Sequence, residues 1–476
     1  YLVQGQSHAT MARRRLPPVP WQSAWAACGC ALLLALAVRA QYGPGAGGGG
    51  GSAGTSPPAP TGSTGVPSGC QTNQMCPLSP VVAVPPPLYG PMVVVTLSNL
   101  FVICGQTDEP YYDAGTWVLP VSASVFGPGG WANMAPCPVT GSDQLSLGAA
   151  TAYFDPTTDG ASVIIYGGLV TTPSGYSSVT SAAFSLNETQ LQSDNTVSWT
   201  PMPPVRGRTD ATKGLPPRGL HAMGRMGRNA QCLVVLGGIS QLDGVVLAPP
   251  LVIDLQANEW QELDDSSGAP PRRTGQVFMV LGGTGFVGLG CSTYMCYTNG
   301  STPDGSAFLS DWWSFALQSE DDCFSGVFTP LQLGGGLTSR FAPAFSAFWA
   351  APQLQQGFIF GGETTSGLLS DAYVFDPTSN TFSQITTFTL SATPGSRYMA
   401  SATSSPFNVG DTTIVYMYGG ATSLQLLVDL WQFVPSFSAY FLFDSTAATS
   451  PEGRLFAGAT QFDGNFVIAS GYGNNG

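Results

Sequence analysis

The sequence predicts an all-β fold built from one small sheet repeated along the chain, and three observations predict it. Short apolar runs end repeatedly in a pair of small residues. An arginine opens a strand at a near-constant interval. The composition also withholds what surface helices need: of 476 residues only 9% are charged, against roughly 25% in an average soluble protein. Gly (60) and Pro (39) are abundant, and 43% of the chain is hydrophobic. Such a chain makes tight turns and apolar strands rather than helices with a wet, charged face.

Taken in order, residues 1–10 precede the first methionine and read as upstream translated residues. Residues 11–40 read as a signal peptide: Met11, a basic stretch at Arg13, Arg14 and Arg15, an apolar run over 24–38, and the small residues Val38 and Ala40 flanking Arg39 at the cleavage site. The apolar run falls short of the roughly 20 residues that span a bilayer, so cleavage before Gln41 is expected, with no membrane span elsewhere. Its loss removes four arginines and no acids, which makes the remaining chain four charges more negative than the −13 of the whole. With Lys213 as the single lysine, there is no clustered cation for nucleic acid or an anionic membrane surface. Residues 41–87 form a Gly/Pro/Ser-rich stalk whose composition cannot pack a core.

Residues 88–476 carry the repeat. Val163-Ile164-Ile165-Tyr166-Gly167-Gly168, Leu233-Val234-Val235-Leu236-Gly237-Gly238, Phe358-Ile359-Phe360-Gly361-Gly362 and Val415-Tyr416-Met417-Tyr418-Gly419-Gly420 are strong copies of the first mark. Phe101-Val102-Ile103-Cys104-Gly105 and Phe466-Val467-Ile468-Ala469-Ser470-Gly471 are weaker ones. The arginines Arg218, Arg273, Arg340, Arg397 and Arg454 precede the pair and stand 55, 67, 57 and 57 residues apart. An Asp followed by an aromatic strand comes after the pair: Asp311-Trp312-Trp313, Asp371-Ala372-Tyr373 and Asp429-Leu430-Trp431, with a degenerate copy at Asp254. After Arg273 the next Gly-Gly arrives too soon for two strands. Residues 276–281 are therefore read as the first strand, Gly282-Gly283 as its hairpin turn and 286–290 as the second strand, with Gly288 and Gly290 standing in for the pair. A fixed period of this size signals an array of one supersecondary unit, and four-stranded units of it pack radially into a β-propeller. About seven blades fit the count better than six, and the last unit stops after its second strand.

An Arg-opened strand, a strand ending in Gly-Gly and an Asp-x-aromatic strand together resemble the Kelch repeat, over about residues 88–476 and best from Arg340 to Asp376 and from Arg397 to Phe433. The first two units lack the arginine. The resemblance implies that the glycines, Asp371 and Trp431 are fold residues, with the Asp satisfying turn amides and the Trp filling the space between blades. It also implies that Arg218, Arg273, Arg340, Arg397 and Arg454 line a channel mouth and bind an acidic ligand, either a protein or an anionic glycan. The alternative at the same residues is that each arginine bonds neighbouring turn carbonyls.

In an oxidising compartment the eight cysteines beyond the signal, Cys70, Cys76, Cys104, Cys137, Cys232, Cys291, Cys296 and Cys323, are disulfide candidates. Cys70/Cys76 and Cys291/Cys296 are spaced to staple loops, and the remaining pairing is open. Asn187 and Asn299 open N-glycosylation tripeptides.

Catalytic signatures are thin. The run from Gly283 to Gly288 matches a dinucleotide fingerprint but lacks the helix that must follow. Galactose-oxidase-like relatives hold copper with two histidines, and beyond the signal only His221 remains, so no metal or cofactor is expected. Carboxylates cluster at Asp264/Asp265 and at Glu320, Asp321 and Asp322, in loops where solvated acids are the ordinary reading. The expected function is a non-catalytic extracellular binding module, secreted or at the cell surface. The alternatives are a carbohydrate-active enzyme on the same scaffold and the ectodomain of a receptor or cell-wall protein continuing beyond Gly476.

Overall fold

The computed structural model describes residues 88–473 with interruptions, the longest at 108–114, 121–131, 189–197, 405–412 and 444–453. The segments expected as leader and stalk lie outside the described residues. The fold is all-β: among the described residues there are strands and short 3-10 turns and no α-helix.

Six antiparallel sheets follow one another along the described chain. The first is Met92–Val95, Asn99–Ile103, Thr116–Pro120 and Ala132–Ala135, paired in that order. The fifth is Ala344–Ala351, Leu354–Phe360, Ala372–Asp376 and Thr381–Gln384, again in order. The third gains a fifth strand, Arg206–Gly207, parallel to Glu259–Glu262. A final hairpin joins Gly458–Phe462 to Asn465–Ala469. The register choice after Arg273 holds: Val277–Leu281 turns through Gly282 and Gly283, both at positive φ, into Thr284–Gly288. The stand-in for the small pair is Leu289-Gly290 rather than Gly288 and Gly290, since Leu289 (φ 61) and Gly290 (φ 86) adopt the pair's conformation.

The strands are continuous apolar runs because both faces of each inner sheet are covered. Val94, Phe101 and Val118 of the first sheet pack on Ala152, Val163 and Ile165 of the second. On that sheet's other face Ile164 and Tyr166 meet Met223, Leu233 and Val235 of the third. Between the fourth and fifth sheets Trp312 lies against Phe375 and Phe382, with ring centroids 5.8 and 5.0 Å apart. Aromatics thus fill the space between these two sheets. The first strands of successive sheets lie side by side, and the final hairpin's Gly458–Phe462 lies beside Met92–Val95.

The small pair now has a mechanical reason. Its second residue donates its backbone N–H to a carbonyl of the following repeat: Gly105 to Leu145, Gly168 to Arg218, Gly238 to Arg273, Gly290 to Arg340 and Gly362 to Arg397, at 2.7–2.9 Å. That donation requires positive φ, +101° at Gly362, and close approach, which a side chain resists. The acceptor is the repeat arginine in four cases. In the second repeat it is Leu145, which identifies the residue standing where the arginine is missing.

Candidate functional site

Three repeats build the same buried clasp. Arg340 donates from Nε to the Thr338 carbonyl (3.1 Å), from Nη1 to the Gly361 carbonyl (3.0 Å) and Asp371 Oδ1 (2.6 Å), and from Nη2 to Asp371 Oδ2 (3.0 Å). Arg397 does the same with Gly395, Gly419 and Asp429, and Arg273 with Pro271, Leu289 and Asp311. The arginine side chains are 0–2% exposed, the carboxylates 21–32%. Trp313 and Trp431 donate their indole N–H to Asp311 and Asp429. Burial alone would raise Asp429, but the hydrogen bonds and charge of Arg397, with the Trp431 indole, hold it below the usual carboxylate range.

The register explains the geometry. Asp371 sits opposite Gly361, because Phe360 pairs with Ala372. Asp429 likewise faces Gly419, since Tyr418 pairs with Leu430. These aspartates therefore hold the arginine rather than turn amides, which corrects the role expected for Asp371. Turn amides are held by a second aspartate at the end of the third strand: Asp376 accepts from Thr378, and Asp254 from Gln256 and Ala257. The degenerate copy at Asp254 thus aligns with Asp376, not with Asp371.

The structure places Arg218, Arg273, Arg340 and Arg397 inside the sheet stack, not at a solvent-facing mouth. Fully sealed guanidinium groups offer an external acidic ligand nothing without rearrangement, and carbonyls account for part of their bonding, as the alternative reading held. The Arg454 side chain lies outside the described residues.

His221 is also sealed, packed edge-on against Tyr166 with ring centroids 5.2 Å apart. Burial, with the Arg218 charge beside it, pushes it well below the ordinary histidine range and leaves it neutral. Asp321 and Asp322 lie in an exposed turn, where Asp321 faces Arg228 at 3.1 Å and Asp322 accepts from the Phe324 amide. Asp264 and Asp265 lie outside the described residues. No group of side chains among the described residues is arranged to hold a metal ion.

Disulfides join Cys104 to Cys137, Cys232 to Cys323 and Cys291 to Cys296. The last is an expected loop staple. The second ties the third sheet to the turn at 323–325 before the last strand of the fourth. Cys70 and Cys76 lie outside the described residues, as does Asn299. Asn187 ends the strand Ala183–Asn187 and is half-buried. The next residue, Glu188, is buried and accepts from Thr96 and Asn99 of the first sheet. Among the described residues no helix is long and apolar enough to cross a membrane.

Among the described residues, the loops between second and third strands are exposed at the same end of the sheets as the clasps. Several are small hairpins of their own, such as Ile239–Gln241 with Val246–Leu247 and Glu363–Thr364 with Gly367–Leu368. Of the exposed large apolar side chains among the described residues, Tyr176, Val246, Leu424 and Val428 lie in these loops, and Val327 and Leu442 on the fourth strands of their sheets. Leu424 is 90% exposed. Sequence reasoning missed these residues because one exposed apolar residue is ordinary; only the shared loop position groups them. No family model matches the chain, and no curated protein matches it.

Proposed function

We propose that residues 88–476 form a Kelch-type β-propeller of about seven blades that works as an extracellular binding module, taking a protein partner on the loops between second and third strands. The observation that carries the binding face is the gathering of Tyr176, Val246, Leu424 and Val428 on those loops. Apolar side chains displayed by a rigid scaffold are how loop-rich folds recognise proteins. Support for the ring comes from the order of neighbouring first strands and from the approach of Gly458–Phe462 to Met92–Val95. Support for an oxidising compartment comes from the three disulfides. The arginines enter this reading as fold residues, so the partner is selected by apolar contact and loop shape rather than by its acidity.

The test is surface binding of the purified, fluorescently labelled chain to cells or matrix of its source. The paired change Tyr176→Asp and Leu424→Asp is expected to lower binding at least tenfold. The same charge at Val327, on a fourth strand, leaves binding unchanged. Equal effects at both places, or none at either, remove the loop face from consideration.

A further inference from the structure

The third repeat departs from its siblings at two positions, and both departures fall on one guanidinium. In the other three arginine repeats described, Nε is bonded to the carbonyl two residues earlier and Nη2 to a carboxylate. In the third, the carbonyl two residues before Arg218 belongs to Pro216, and the Tyr166 hydroxyl takes it at 2.5 Å. The carboxylate is missing because the position opposite Gly237, fixed by the pairing of Val235 with Leu251, is Pro249. Arg218 keeps its Nη1 bond to the Gly237 carbonyl, at 3.1 Å, with the Tyr166 hydroxyl close beside the guanidinium and the like charge of Arg272 nearby. Its Nε and Nη2, and both ring nitrogens of His221, are buried with no partner among the described residues. The Glu262 carboxylate acts on Arg218 from a distance and is exposed.

A fully buried cation with two unbonded N–H groups is costly, and the rest of the array shows what satisfies it: an anion in the carboxylate position. We infer that the third repeat holds a small inorganic monoanion of chloride size between Nε and Nη2 of Arg218, with the neutral His221 ring as a further donor. The anion replaces the side chain that Pro249 cannot supply. Neutral histidine suits the role, since one ring nitrogen carries a proton to donate. Tyr166, whose hydroxyl burial pushes up to about 12, stays protonated and keeps Pro216 occupied.

The experiment measures thermal unfolding of the full chain in sodium chloride against sodium gluconate at equal ionic strength, alongside chloride-35 NMR line broadening. The expected result is a chloride-specific rise in Tm that follows the saturable form of site binding, with broadening that gluconate does not reverse. Pro249→Asp, which supplies the missing carboxylate, abolishes both chloride effects and matches or exceeds the wild-type Tm in gluconate. Tyr166→Phe returns the Pro216 carbonyl to Nε and weakens chloride binding, and it serves if the Asp variant does not fold. No difference between the two salts, a linear response without saturation, or chloride effects that persist in both variants would overturn the assignment.

Discussion

Asp371→Ala removes the carboxylate from one clasp and leaves Arg340 buried with its charge uncompensated. Breaking a buried ion pair from one side costs about 3–5 kcal/mol. The Arg340 side chain is fully buried and Asp371 is 21% exposed, so water that reaches the carboxylate side places the loss near the lower end, about 3 kcal/mol. The perturbation sits at one corner of one sheet, so the assay is local: native-state hydrogen exchange of the amides in Leu354–Phe360, the strand leading to Gly361. A loss of about 3 kcal/mol corresponds to roughly 100-fold faster exchange there, with the first sheet unchanged. Adding Arg340→Met to Asp371→Leu should recover most of the loss, because an apolar pair of similar volume leaves no orphaned charge. Less than about a fivefold change in the single variant, or no recovery in the double one, would refute the view that charge compensation holds this corner.

Three further outcomes are expected. Asp429 is held below the usual carboxylate range in the folded state, so its contribution is complete above about pH 4, the unfolded value, and is lost as pH falls through the depressed folded value; Asp429→Asn should flatten acid unfolding in that window and lower stability at pH 7. Glu188 is shifted the other way by burial, only partly offset by Thr96 and Asn99, so its ionisation opposes folding as pH rises past the usual carboxylate range, and Glu188→Gln should stabilise the chain at pH 7 and remove that slope in urea titrations. Gly361→Ala places a Cβ 2.4 Å from the Arg397 carbonyl oxygen at φ +64°, so expression yield and Tm should both fall well below those of the exposed-loop control Gly214→Ala, whose added Cβ meets nothing within 4 Å and whose φ is not positive.

The small pairs and arginines located all six described sheets, the first only through the weaker Cys104-Gly105 copy, because both marks are backbone requirements repeated without much variation. The strand registers that turn these marks into a clasp were harder to read. Asp371 and Asp254 look alike in sequence, each beside an aromatic or β-branched run, yet one lies at the start of its strand facing an arginine and the other at the end of its strand over a turn. Only the pairing of Phe360 with Ala372 and of Asp254 with Glu259 separates them. The first two repeats were obscure for a different reason. Leu88 and Leu145 stand where the arginine is expected, two residues before Gly90 and Leu147 at positive φ, and both leucines are buried. An apolar residue there avoids a buried charge altogether, and it erases the mark by which the repeat is recognised. The arginines are sealed although their residue type is mostly exposed, and in three repeats an aspartate of the same repeat supplies the counter-charge.

Each clasp closes inside its own repeat, with Arg340 and Asp371 separated by 31 residues and Arg397 and Asp429 by 32. The contacts that cross from one repeat to the next are of other kinds: the backbone bond from the small pair to the next repeat's arginine carbonyl, the Cys232–Cys323 disulfide, and the bonds from Thr96 and Asn99 to Glu188. Removing a whole clasp-bearing repeat therefore takes the arginine and its aspartate away together and strands neither of those two charges.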